Sequence, residues 1–222
     1  MKKIIPTILC LIFFTGCFGD RLQPIRALGR SENIDKKTEA SILYQEAIKT
    51  MMEAYNSSFG INKDIGTRLM NTGGFEKAIE HFKIAASIKN NDRIVYHNMG
   101  ICYINLYKIN KNDEYLSLAR YNYEIALNLA PDTKGLLYDY AQLLIFGYED
   151  YTKAIEVLNH YVYKLGTLDK DGYFLLGRSY YAVGEFDKAY SVFSDIYQFE
   201  KKLSDDEKVK LTEFLAASSK KE

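Results

Sequence analysis

The side chains best equipped for chemistry in this sequence are three histidines, His81, His97 and His160, and three cysteines, Cys10, Cys17 and Cys102. A metal centre or a general base would need several such groups at helical or loop spacing, as in H-E-x-x-H. The histidines instead lie far apart in the chain, and no Cys/His pair has the arrangement of a nucleophile and its base. Gly177 and Gly184 frame the run GRSYYAVG, but no strand pattern precedes them, so a phosphate-cradling turn is not expected. The G-x-S-x-G elbow is absent as well. No catalytic residue, metal ligand or cofactor is therefore expected, and His81 and His160 read as structural side chains on helices. Lys+Arg and Asp+Glu both number 29, so bulk charge gives no reason to expect nucleic acid.

Cys17 is the exception, because of what precedes it. Lys2 and Lys3 form a short positive region and residues 4–14 an apolar one, too short to span a bilayer comfortably. Thr15 and Gly16 then lead into Cys17, with Phe14 at the start of that group. This arrangement resembles the lipobox of bacterial lipoproteins, relaxed by Phe14 at the position usually held by Leu. The resemblance implies cleavage before Cys17, a diacylglycerol on its sulfur and an acylated amine, which together hold a protein to a membrane. A plain signal peptide with an incidental cysteine is the alternative. In either case Cys10 leaves with residues 1–16. With Cys17 lipidated, only Cys102 remains, which excludes an internal disulfide; it reads as a small buried apolar residue.

The elements that must position everything else are read from residues 173–197. Tyr173, Leu176 and Tyr180 share a helical face, Gly184 breaks the pattern, and Ala189, Phe193 and Ile196 begin a second face. Such a hairpin cannot bury its faces alone, so related copies are expected beside it. Ile65, Gly66, Leu69, Gly73, Phe75, Ala78, Phe82 and Ala85 match Leu176, Gly177, Tyr180, Gly184, Phe186, Ala189, Phe193 and Ile196 in order and spacing. Further copies carry Tyr96, Met99, Gly100, Tyr103, Ala119, Tyr123 and Ala126, and Leu137, Ala141, Leu144, Ala154, Leu158 and Tyr161. On these residues the chain resembles the tetratricopeptide repeat (TPR) family, whose period is about 34 residues. The implied fold is all-α, a right-handed superhelical array of antiparallel helix pairs, with about four repeats and flanking helices.

The expected organisation is a lipoprotein signal over 1–16 and a lipidated cysteine with a flexible tether over 17–35. An N-terminal helix follows over 36–58, with Ile42, Ala47, Ile48, Met51, Met52 and Tyr55 as an apolar face packed against the first repeat. The alternative for that helix is the second half of a degenerate extra repeat. The array occupies 59–203, as 59–92, 93–133, 134–168 and 170–203. The last part, 204–222, is a capping helix and tail, opened by the Ser204/Glu207 spacing of a capping box. Gly100 to Ala141 is seven residues longer than the period set by Gly66 and Gly100. The excess, near residues 107–115, is either an extended loop or a longer pair of helices. Asn62 stands at the first signature position of the first repeat, where the family often carries Trp.

The resemblance implies that first-helix residues line a concave groove. Carried over in phase, these are Lys63, Thr67 and Asn71 (with Met70) in the first repeat and His97, Ile101 and Asn105 (with Ile94 and Ile104) in the second. The third gives Tyr138 and Gln142 (with Ile145 and Phe146), and the fourth Phe174, Arg178 and Tyr181 (with Asp171 and Ala182). Ile101, Ile104 and Ile145 read equally well as core. Tyr, Phe and Arg are favoured anchors at binding surfaces. Lys63 and Asn98 fit the carboxylate clamp of chaperone-binding members, but Thr67, Gly135 and Asp139 depart from it, so that specificity is not expected. The expected function is a protein–protein adaptor in the bacterial cell envelope, lipid-anchored to a membrane, whose partner is an envelope protein. The alternatives are a subunit partnering a periplasmic solute-binding protein, or a component of outer-membrane β-barrel assembly. Nucleic acid is excluded as a partner, and a small-molecule ligand is admitted but not expected.

Overall fold

Pro24, Asn33 and a series of aspartates set where the helices of this chain begin. The computed structural model describes residues 22–219, which fall into two units, Met1–Ser58 and Phe59–Glu222. Among the described residues every regular element is helical and no strand occurs. The signal segment and Cys17 lie outside the described residues.

In the first unit, α1 (Gln23–Gly29) starts with Pro24 in its first turn, where a missing N–H costs nothing. Asn33 then accepts from the amides of Asp35 (2.8 Å) and Lys36 (3.3 Å) to open α2 (Ile34–Asn71). Ile25 of α1 is fully buried with Ala40 and Leu43 of α2, and Leu22 and Leu28 pack at the edge. Residues 22–30, expected as part of a flexible tether, are therefore largely helical. Leu22, Ile25 and Leu28, spaced by three, form a stripe too short to stand out beside Pro24 and Gly29.

A second correction concerns residues 36–58. They form no separate helix, because α2 runs unbroken for 38 residues to Asn71. The apolar face expected there is not covered: Ile42, Ile48, Met51, Met52 and Tyr55 are all exposed. Burial in this unit falls instead on Ala40 and Leu43.

In the second unit, residues 59–71 of α2 pair with α3 (Phe75–Ile88) to make the first hairpin. The others are α4 (Arg93–Asn110) with α5 (Asp113–Leu129), α6 (Lys134–Tyr148) with α7 (Tyr151–Asn159), and α8 (Lys170–Ala182) with α9 (Phe186–Asp195). A π turn, His160–Lys164, extends α7, and a 3-10 segment, Ile196–Lys202, follows α9. From α3 to α10 helices adjacent in sequence pack together, and Gly66 of α2 lies against Phe82 of α3, so the unit is a solenoid of helical hairpins with one continuous core.

Aspartates start three of these helices. Asp92 accepts from the amides of Ile94 and Val95, Asp150 from Lys153, and Asp169 from Asp171 and Gly172. Gly73 and Gly184 take positive φ at two hairpin turns, at +83° and +81°, and Lys111 and Glu149 occupy the left-handed region at the other two. Inside the hairpins a first-helix glycine meets a second-helix ring. A β-carbon on Gly66 would come 2.7 Å from Phe82, and one on Gly100 2.3 Å from Tyr123. Asn62, at its unusual position, is matched by His81, whose Nδ1 lies 2.9 Å from Asn62 Oδ1.

The seven-residue excess is helix. α4 and α5 have 18 and 17 residues, against 15 in α6 and 13 in α8, and only Lys111 and Asn112 link them. Seven residues are about two α-helical turns, so one added turn on each side keeps every apolar face in phase. Tyr103 and Tyr115 stack across the lengthened pair, with centroids 6.1 Å apart. At the far end, α10 (Asp205–Ser219) begins with the expected capping box. Ser204 N donates to Glu207 Oε2 (2.8 Å) and Glu207 N to Ser204 Oγ (3.3 Å). Phe214 of α10 stacks on Phe193, covering the last hairpin.

Candidate functional site

The added turns have a consequence on the first-helix side of the array. Ile101, Ile104, Asn105, Tyr107 and Lys108 of α4 face Asp139, Gln142, Leu143, Phe146 and Gly147 of α6 across a concavity of about 380 Å³. Leu116 and Tyr123 of α5 complete its wall. The lining is mostly aliphatic and aromatic with a few amides and charges, the usual make-up of a recognition pocket. The volume is near the lower end of the ~300–1,000 Å³ typical of ligand sites.

Its polar groups are held in place. His97 Nε2 lies 2.7 Å from Asp139 Oδ2, tying α4 to α6. Asn105 Nδ2 donates to Ile101 O at 2.8 Å, which leaves the amide oxygen as its acceptor. Burial, and then the Asp139 charge, push the Tyr123 phenol far above its ordinary range, so it stays neutral.

Two further concavities adjoin α8. In one, Tyr138, Asp171, Phe174, Leu175 and Arg178 meet Glu207, Lys210 and Phe214 of α10. In the other, Arg178 and Tyr181 meet Ile145, Tyr151 and Phe214. Burial, then Asp171 and Asp169, raise the Tyr138 phenol, opposed by a hydrogen bond to Gln142. The Arg178 guanidinium carbon stands 6.0 Å from the centroid of Phe146, a residue that lines the first concavity.

Ile101, Asn105 and Gln142 thus line the first concavity, His97 supports it through Asp139, and Tyr138, Phe174, Arg178 and Tyr181 line the other two. Ile101 and Ile104 are half-buried at the cavity wall, whereas Ile145 is buried. Lys63, Thr67 and Asn71 lie outside all three. Lys63 Nζ bonds Asp92 Oδ2 at 2.8 Å, Thr67 Oγ1 donates to Lys63 O at 2.8 Å, and Asn71 stands at the end of α2.

Residues that first-helix phase did not reveal are Tyr107, Lys108 and Leu116, which sit on or beside the added turns, and Leu143 and Gly147. The length anomaly near residues 107–115 was the available signal. The other histidines also have polar partners: His81 contacts Asn62 of α2, and His160 Nε2 lies 2.7 Å from Asp132 Oδ1 in the turn before α6. Among the described residues no group of three or more His, Cys, Asp or Glu side chains could hold a metal ion.

No protein-family model matches this sequence, and comparison with curated proteins finds no match. Solved structures do match. MamA from Desulfovibrio magneticus RS-1 superposes with a TM-score of 0.55 at 20% identity, over 73% of this chain and 93% of MamA. YrrB, described as a TPR protein with an unusual peptide-binding site, gives 0.54 at 17% identity, over 71% of this chain and 84% of YrrB. A thermophilic TPR protein of Thermus thermophilus, TTC0263, gives 0.52 at 18% identity, over 87% of this chain and 97% of its own. At such identities the likeness is one of fold: the helical array is a TPR α-solenoid.

Proposed function

We propose that this chain is an adaptor that holds an extended segment of a partner protein along the first-helix face of its solenoid, tethered to a membrane by lipid on Cys17. The observation that carries the binding part is the concavity between α4 and α6. It gathers Ile101, Asn105 and Gln142, three residues at groove positions of two successive repeats, and is enlarged by the added turns of α4 and α5. A hairpin array offers no catalytic constellation there, but it presents a row of side chains at fixed spacing, which suits a peptide. YrrB, of the same fold, has a peptide-binding site by its description. The tether reading is supported by the sequence around Cys17 and assigns the protein to the bacterial cell envelope, with an envelope protein as partner.

Affinity capture with the full chain from detergent-solubilised envelope tests the binding part. A saturable protein partner lost on Ile104→Trp, which fills the concavity, is expected, and capture unchanged by that substitution would refute it. Mass spectrometry of the mature amino terminus tests the tether: an unmodified Cys17, or a chain that still carries residues 1–16, rules it out.

A further inference from the structure

Several cations that tie one helix of this array to another are neutralised from within. Lys63 is paired with Asp92, Arg120 and Lys153 with Glu124, and Lys170 with Glu207. Arg178 is not. It is exposed, it lines two of the three concavities, and no carboxylate among the described residues forms an ion pair with it. Asp171 lies two turns back on the same helix, and Glu207 is already taken by Lys170. What Arg178 has is the ring of Phe146, itself 60% exposed, at 6.0 Å. A guanidinium against an aromatic ring is held by the ring quadrupole and the packed stem, while its N–H edge stays free for a carboxylate. Lys210 lines the same concavity and adds a second positive charge, beside Asp171 and the Lys170-paired Glu207.

Resting on the adaptor reading above, the geometry points to the chemistry of the bound segment: an extended stretch of a partner protein carrying a bulky apolar residue and, two positions away, an Asp or Glu. The apolar side chain fills the concavity between α4 and α6, and the carboxylate pairs with Arg178 across Phe146. The spacing follows from extended-chain geometry. Side chains two residues apart point the same way and stand about 7 Å from each other, and Phe146, in the wall of the first concavity, has its ring centroid 6.0 Å from the Arg178 guanidinium. The carboxylate belongs to a side chain and not to a chain terminus. Arg178 has an open concavity on either side, one with Phe174 and Phe214 and the other with Tyr151 and Tyr181, so the segment runs past it.

The test is selection from a random twelve-residue peptide library displayed on phage with its carboxyl end fused to coat protein, panned on the full chain in detergent. Wild type is expected to enrich an apolar residue two positions from Asp or Glu. Arg178→Glu, at an exposed position, is expected to replace the acidic residue by Lys or Arg at the same offset, and Ile104→Trp to erase the apolar preference. For a synthetic peptide of the enriched sequence, Glu→Gln or Arg178→Ala should weaken binding roughly tenfold to a hundredfold, the range of a charge-assisted hydrogen bond. Enrichment without an acidic residue at that offset, or a motif unchanged by Arg178→Glu, overturns this inference and leaves the adaptor reading standing. Enrichment only in a parallel library with free carboxyl ends overturns the side-chain assignment. No enrichment by wild type in either library removes the peptide groove itself.

Discussion

Gly177 and Phe193 lie so close that a β-carbon on the glycine would come within 2.5 Å of the ring's Cε1. The two residues sit on the first and second helices of the last hairpin, and the contact recurs as Gly66 with Phe82 and Gly100 with Tyr123. In the third hairpin the matching residues are Ala141 and Leu158, both fully buried. There a methyl is gained on one helix where a ring is lost from the other, so close packing of the pair is kept by volume. Gly177→Ala should therefore destabilise the protein by about 1–3 kcal/mol through overpacking, despite a helix-propensity gain of ~1 kcal/mol. Phe193→Leu in the same chain should recover part of the loss by copying the third hairpin. Urea denaturation measures both, and an unchanged midpoint for Gly177→Ala would count against the packing argument.

Asp92 joins two repeats, since it caps α4 and binds Lys63 of α2. Burial pushes its carboxyl up, but the Lys63 hydrogen bond and the Val95 and Ile94 amides outweigh this and hold it below 3.8. A depressed value means the unfolded chain binds the proton first. The stabilisation is thus fully present above about pH 4 and is lost as pH falls through the folded value. Asp92→Ala is expected to cost about 1–2 kcal/mol near neutrality. The gap to wild type should narrow below about pH 4 in urea titrations run at stepped pH.

Glu207 titrates in the same sense. The Lys170 hydrogen bond and the Ser204 amide hold its carboxyl at about 2, well under the usual 4.5. Carbon-detected NMR of that carboxyl should find it still ionised below pH 4.5 and protonating only as pH approaches 2. Lys170→Met should move the midpoint upward. Because the capping box needs the carboxylate, α10 should hold its place above 4.5 and loosen as acid approaches that lower value. A midpoint indifferent to Lys170→Met would remove the pair from the account.

Cys102 is fully buried in α4, and burial pushes its thiol up to about 12. Alkylation requires the thiolate, so the native chain at about pH 8 should react with iodoacetamide at Cys102 roughly a thousandfold more slowly than the urea-unfolded chain. Mass spectrometry of the peptide bearing Cys102 separates it from the other cysteines. Equal rates in the two states would show that α4 opens readily.

Much of the fold was legible because helical periodicity is local. Tyr173, Leu176 and Tyr180 share a face whatever the helix touches, and the recurrence of that face in register required stacked hairpins. Ser204 and Glu207 could be paired from spacing alone, since a capping box closes within one turn. Locality also set the limits. The burial of Ile25 against Ala40 and Leu43 joins two helices through a turn that the pattern did not suggest. Residues 36–58 carried an apolar face, but a face does not say whether anything covers it, and here Ile48, Met52 and Tyr55 stay exposed within a continuous α2.

The candidate groove divides the same way. Phase along the sequence placed Ile101, Asn105, Gln142 and Arg178 on one side of their helices. It could not tell that the seven-residue excess would become two helical turns, since a loop of that length costs little more. Nor could it bring Asp139 to His97, or Phe146 to Arg178, because those separations are set by how one hairpin packs on the next. The sequence by itself determined which residues each helix presents. Only the tertiary structure decided which of them meet, through side-chain volumes between helices distant in the chain.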